Sequence, residues 1–286
     1  MSIKHIFTSY SKIICLFLLS LIIVYYYSVH YSPGLNDSQR LNLFKNSTSC
    51  LLEYFETVNK ENFLRKWLYL DTTVNKCNKD LLNVLKIEEF PNLDETKRGI
   101  LPKYSNSNCT VITLGIGNDT LAEKAISKKL SQCKFLGIDP DAEFSGNLYK
   151  TDLKGIYVQG VIGAKNNTQA DSKEEPSYPN FSFQKFLSTY FPHKTLDYLL
   201  MDIEEDEWDL MKDLIDNPDK YPIICQINVE YHKPDGPNAF AHLKDIKQSL
   251  LNGPYFPLKI ELNHEYLFNR IFYVNNKDDY CIKKYL

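Results

Sequence analysis

Apolar residues fall in short runs along most of the chain, and beyond Asn108 the runs are of two alternating kinds. Strand-like segments that are mainly apolar lie at 111–114, 134–138, 156–162, 196–201, 223–229 and 270–274. Between them, apolar residues recur at helical spacing over 120–130, 181–190, 205–215 and 239–251. Such alternation predicts an α/β domain with a mainly parallel sheet and helices on both faces. Thr120 and Glu123 have the spacing of a capping box, with Leu121, Ala125, Ile126 and Leu130 lining the helix behind them. Residues 30–105 are polar with short helical patterns, as at 50–55 and 81–85, and read as a stem and small helical preface. Residues 164–180 read as a surface loop.

Residues 13–29 stand apart, because they carry no charge and approach the length of a membrane span. Lys4 and Lys12 precede them and no Lys or Arg follows before Arg40, so the positive-inside rule predicts a cytoplasmic tail (1–12), a transmembrane signal anchor (13–29) and the remainder on the lumenal side. A cleaved signal peptide is the competing reading, although "YYYSVHYS" lacks a small-residue cleavage pattern. The expected location is thus that of a single-pass type II protein facing the endoplasmic reticulum or Golgi lumen. Of the seven cysteines, Cys15 lies in the apolar segment and six lie beyond it, at 50, 77, 109, 133, 225 and 281; in an oxidising lumen they can form three disulfides, with all pairings open. N-x-S/T triplets at Asn36, Asn46, Asn108, Asn118, Asn166 and Asn180 agree with a lumenal glycoprotein. The net charge of −3 offers no broad basic field, so nucleic acid is not an expected partner.

In an open parallel sheet ligands bind beyond the carboxyl ends of the strands. The 111–114 strand ends in Gly115-Ile116-Gly117, which permits a tight turn and close backbone approach. The next ends in Asp139-Pro140, 24 residues after Gly115, near the spacing at which a carboxylate takes the ribose hydroxyls of a nucleotide cofactor. A dinucleotide fingerprint needs a third glycine where Thr120 stands, and no P-loop is present. A cofactor with a ribose but no phosphate fits what is left, and S-adenosylmethionine is the common one. The 196–201 strand runs into Asp202 and Glu204, two apart and so on one side. Residues 205–209 read as a solvated acidic helix start with Trp208, Met211 and Ile215 buried behind it, rather than as a metal site. Glu230 and His232 end the 223–229 strand and are candidates to take a proton from an attacking hydroxyl.

The segments "VITLGIGNDTLAEK", "FLGIDP", "SFQKFLSTYF", "LDYLLMDIEEDEW", "ICQINVEYHKPDG" and "RIFYVNNKDDYCIKKYL" together resemble the FkbM-type methyltransferases, in particular their nematode-type branch. The resemblance runs from about residue 105 to the C-terminus and implies a Rossmann-like methyltransferase domain over 106–286. It further implies S-adenosylmethionine as cofactor, with Gly115, Ile116, Gly117, Asp139, Pro140 and Asp202 in its site and Glu204, Glu230 and His232 as catalytic candidates. Methyl transfer to a hydroxyl, conceivably on a glycan, is the expected reaction. The family usually has an acidic residue where Thr113 stands and a glycine where Glu205 stands. These departures, with the Asn118 triplet in the loop, support the alternative of a non-catalytic lumenal binding protein on the same fold. A metal-dependent glycosyltransferase using Asp139-Pro140-Asp141 is a third reading. Sequence leaves the acceptor and the oligomeric state open.

Overall fold

The computed structural model describes residues 36–104, 107–163, 178–232, 234 and 236–286. The chain divides into two units, Met1–Asn42 and Leu43–Leu286. The expected tail and anchor at 1–29 lie outside the described residues. The expectation of a transmembrane helix ahead of the α/β domain is corrected: among the described residues no helix is long and apolar enough to cross a membrane.

From Leu43 to Tyr104 the stretch expected to be stem and preface belongs to the second unit. Helix α1 (Asp37–Glu56) buries Phe44, Leu51 and Phe55, spaced to fall on one face. The short helices α2 (Phe63–Leu68), α3 (Leu70–Cys77) and α4 (Lys79–Val84) follow, burying Trp67, Leu70, Val74 and Leu81, and Cys50–Cys77 ties α1 to α3. A hairpin, β1 (Ile87–Pro91) with β2 (Thr96–Ile100), comes next and lay outside the sequence reading. Side-chain amides of the later strand β9 (Ile223–Tyr231) hold β2: Asn228 and Gln226 accept from the N–H groups of Arg98 and Ile100 at 2.6 and 2.7 Å and donate back to the same residues' carbonyls. Polar residues in the middle of a buried strand thus satisfy the open edge of the hairpin.

The central sheet has seven strands. In chain order they are β3 (Cys109–Leu114), β4 (Cys133–Asp139), β5 (Ile156–Gln159), β8 (Thr195–Met201), β9, β10 (Tyr255–Leu262) and β11 (Asn269–Asn275). Their spatial order is β10-β11-β9-β8-β3-β4-β5, parallel from β9 to β5, with β11 and β10 antiparallel at one edge. The chain reverses its direction of travel across the sheet between β3 and β8, which makes their carboxyl ends the switch point. The expected strand at 156–162 splits at Gly160, whose φ of +154° turns the chain away. Val161–Ile162 then forms β6 and pairs with β7 (Asn180–Phe181) in a separate sheet.

The expected helices appear as α5 (Leu121–Lys129), α7 (Phe183–Tyr190), α8 (Glu207–Asp216) and α9 (Gly236–Asn252), and α6 (Ser145–Leu153) and α10 (Asp279–Tyr285) were not anticipated. The capping box does not form. Thr120 donates to Asp152 at 2.9 Å, while Asp119 and Asn92 accept from the first amides of α5 at 2.8 Å each. Leu121 accordingly points outward, 44% exposed. Two more disulfides lock the unit: Cys109–Cys133 joins the starts of β3 and β4, and Cys225–Cys281 joins β9 to α10.

Candidate functional site

The expected cofactor residues converge at the switch point. Gly115 and Gly117 have φ of +74° and +63°, the left-handed region that glycine enters without steric cost. A Cβ on Gly115 would lie 1.7 Å from the Asp202 carbonyl oxygen, so the loop and the end of β8 touch only because that atom is missing. A Cβ on Gly117 would meet nothing within 4 Å, because this glycine faces open space. That space is a cavity of about 420 Å³ lined by Gly115, Gly117, Asp139, Pro140, Ile162 and Asp202 among others, within the range that holds a small-molecule cofactor. Asp139 is buried, and its carboxylate accepts from the amides of Ile116 and Gly117 at 2.9 Å each and of Asp141 at 2.8 Å. A carboxylate has about four acceptor positions, so Asp139 fixes the glycine loop and keeps capacity for one further donor. A second cavity of about 510 Å³ between α7 and α8, lined by Asp209, Lys212 and Asp213, contains none of these strand ends.

After β8 the chain turns through Glu204 and Glu205, both left-handed at φ +52° and +81°. The second is where the family usually has glycine, and the backbone explains that preference. Turning there sets Glu207 at the start of α8, fully buried at 0% exposure, a correction to its expected place on a solvated helix start. Trp208, Met211 and Ile215 are buried as expected. Glu207 Oε1 accepts from the His232 backbone N–H at 2.6 Å and lies 3.1 Å from His232 Nδ1, while the Trp208 indole donates to the His232 carbonyl at 2.9 Å. With Nδ1 turned to a carboxylate, Nε2 faces Asp202 Oδ1 at 3.4 Å and Glu230 Oε1 at 3.8 Å. Burial works against the imidazolium, but the hydrogen bond and charge of Glu207, joined by Asp202 and Glu204, outweigh it and push the His232 pKa up to about 9. Burial also raises Asp202, against the pull of Lys97.

Glu230, the other expected proton acceptor, is held by Arg270, whose Nε approaches it at 2.6 Å. Beside them Lys97, buried on β2, pairs with Glu95. None of Glu95, Lys97, Glu207 and Arg270 was singled out as a site residue, since lone charges in strands and loops carry no periodic signal. Asp202, Glu204 and His232 bring ligand atoms within 4.8 Å of one another, as do Glu95, Asp202 and Glu230. Neither trio is free to take a cation: Lys97 and Arg270 already neutralise members of the second, and in the first His232 is held by Glu207 as an imidazolium. The acidic group missing at Thr113 has a neighbour: the Thr113 hydroxyl donates to Glu123 at 2.9 Å, and burial pushes Glu123 up to about 7.

Residues 68–255 match the Methyltransferase FkbM domain. No curated protein matches the chain. Among solved structures, the Methanococcus jannaschii fibrillarin pre-rRNA processing protein is 8% identical, with 63% of this chain and 72% of that one covered at a TM-score of 0.40. Aeropyrum pernix fibrillarin in complex with natively bound S-adenosyl-L-methionine is 11% identical, with 59% and 68% covered at 0.35. The human methyltransferase 10 domain containing protein is 10% identical, with 84% and 99% covered at 0.34. At these values the likenesses are remote.

Proposed function

Because this chain belongs to the FkbM methyltransferase family, we propose that it is an S-adenosylmethionine-dependent methyltransferase acting on a hydroxyl. The observation that carries the reading is the glycine loop, fixed by Asp139 and facing a cavity at the switch point. Gly115, Ile116, Gly117, Asp139, Pro140 and Asp202 would hold the cofactor, which supplies an electrophilic sulfonium methyl. Methylation of a hydroxyl by that group would release the acceptor's proton, which the protein would have to take up. Three groups lie in reach. Glu230 is committed to Arg270, and His232 with a pKa of about 9 already holds its proton at neutral pH. Asp202 lines the cavity, is not tied to an arginine as Glu230 is, and has its pKa raised by burial, so it is the best-placed proton acceptor, with the His232 imidazolium and Glu204 beside it. The three disulfides support action in the secretory pathway, where carbohydrate hydroxyls are abundant acceptors.

The alternative, a non-catalytic binding protein, is favoured by Asn118, which is exposed in an N-x-S/T triplet beside Gly117. Calorimetric titration of S-adenosylmethionine and S-adenosylhomocysteine into the purified chain separates the two. Micromolar binding that is lost in Asp139→Ala supports the methyltransferase. A folded chain that binds neither compound supports the alternative.

A further inference from the structure

The turn between β10 and β11 reaches the same edge of the sheet as the cofactor loop, because β11 is antiparallel to β9 and Asn269 pairs with Tyr231 at the mouth. It is built as a fixed platform. Asn263 Oδ1 accepts from the amides of Glu265 and Tyr266 at 3.0 and 3.2 Å, and the Asn263 amide donates to the Phe268 carbonyl at 2.8 Å. Trp67, buried in α2, donates its indole N–H to the Leu267 carbonyl at 3.1 Å, and its backbone carbonyl accepts from the Asn269 side-chain amide at 3.0 Å. Leu267 is held left-handed at φ +61°, a strained state for a branched residue that the flanking bonds sustain.

A continuous row of groups leads outward from the cavity. Asp202 lines it, His232 Nε2 lies 3.4 Å from Asp202, and Phe268 meets the His232 ring edge-on at 4.7 Å. Tyr266 stacks on Phe268 at 5.6 Å and 25°, and is 58% exposed. An aromatic pair anchored in this way, one ring against the reacting groups and the other open to solvent, is placed to receive the acceptor.

The surrounding charge narrows the class. Asp202, Glu204, Glu207, Glu230 and Glu95 outnumber Lys97, Arg270 and His232, so an anionic acceptor is disfavoured, while Asp202 and Glu204, which line the cavity, can accept from hydroxyl donors. We propose that the Asn263–Phe268 turn is the acceptor subsite and that it takes a neutral pyranose ring, which combines an apolar C–H face for Tyr266 with hydroxyls for the carboxylates. This assignment rests on the methyl-transfer reading above.

Saturation-transfer NMR on the full chain tests it, with methyl β-D-glucopyranoside, methyl β-N-acetyl-D-glucosaminide and catechol as probes and S-adenosylhomocysteine titrated into the same sample. The expected result is saturation of the pyranoside ring protons, about fivefold weaker or absent in Tyr266→Ala and retained in Tyr266→Phe. Affinity for S-adenosylhomocysteine should be equal in all three proteins, which shows that the variants are folded. Saturation of catechol alone, or equal pyranoside binding by Tyr266→Ala, would overturn the assignment. Binding of S-adenosylhomocysteine with no pyranoside saturated overturns the subsite and leaves the methyltransferase standing. The converse leaves a carbohydrate platform and removes the methyltransferase.

Discussion

His232 shows how far one side chain depends on another from a distant part of the sequence. Its ring is oriented by Glu207, which is fully buried and meets both the backbone N–H and Nδ1 of His232, and its charge is sustained by Glu207 first, with Asp202 and Glu204. Glu207→Gln keeps an acceptor for both N–H groups but removes the charge, so the His232 pKa should fall from about 9 toward its ordinary 6.5, read by NMR titration of the imidazole protons. The sign for stability follows. A folded-state pKa raised above the unfolded value contributes stability that is fully present below about 6.5 and is lost as pH rises through about 9. Urea unfolding across that window should show a smaller loss in the variant. Two residues earlier, Glu205 occupies φ +81° with a Cβ. Glu205→Gly should stabilise the fold by ~1 kcal/mol by relieving that strain, measured as a shift of the urea midpoint.

At the scale of elements, α10 is anchored by a single buried charge. Asp197 on β8 accepts from Lys284 Nζ at 2.6 Å and the Tyr285 hydroxyl at 2.7 Å, and also from the Thr110 amide at 2.8 Å. Asp197→Ala leaves the Lys284 ammonium without its carboxylate in a buried setting, which should cost about 3–5 kcal/mol by urea unfolding. Early hydrogen-exchange loss in α10 would identify the element released. The β10–β11 turn is the opposite case. Its backbone is held by Trp67 and Asn263 rather than by the exposed Tyr266 side chain, so sequence changes at Tyr266 alter what it binds more than whether it folds.

On the scale of the whole molecule, three disulfides close loops of 27, 24 and 56 residues. The last joins the middle of the sheet to the final helix. Replacing Cys225 and Cys281 together by alanine should lower stability by about 4 kcal/mol, the chain-entropy value for a loop of that size, in unfolding under non-reducing conditions. Peptide mapping without reductant should recover the three pairs. The hairpin β1–β2 works at this scale too, since it carries Glu95 and Lys97 from the N-terminal part of the unit to the mouth of β9.

Local pattern was enough for the elements whose apolar period is strong, β3, β4, β8, β9 and β11 with α5, α7, α8 and α9, and hence for an α/β sheet with ligands at its carboxyl edge. It was also enough to place Gly115, Gly117, Asp139, Asp202 and His232 at that edge, because strand ends are local facts. Other features were not legible, each for a physical reason. The β1–β2 hairpin carries charged residues at Glu88, Glu89, Asp94, Glu95, Lys97 and Arg98 that blur any apolar period, and β2 depends on Gln226 and Asn228, more than a hundred residues away, for hydrogen bonds. β10 pairs only with β11 at an edge, so its run mixes Lys259 and Glu261 with apolar residues. Thr120 and Glu123 have capping-box spacing, but Asp152 and Thr113 compete for them more successfully once the chain is folded. Sequence by itself determined the α/β character of the domain and the row of strand ends, since both follow from periodicity and backbone permissiveness, while the transmembrane helix it also predicted is corrected. Only the tertiary structure decided which charges neutralise one another, because Glu230 with Arg270 and Glu207 with His232 are pairings made by packing and by no spacing along the chain.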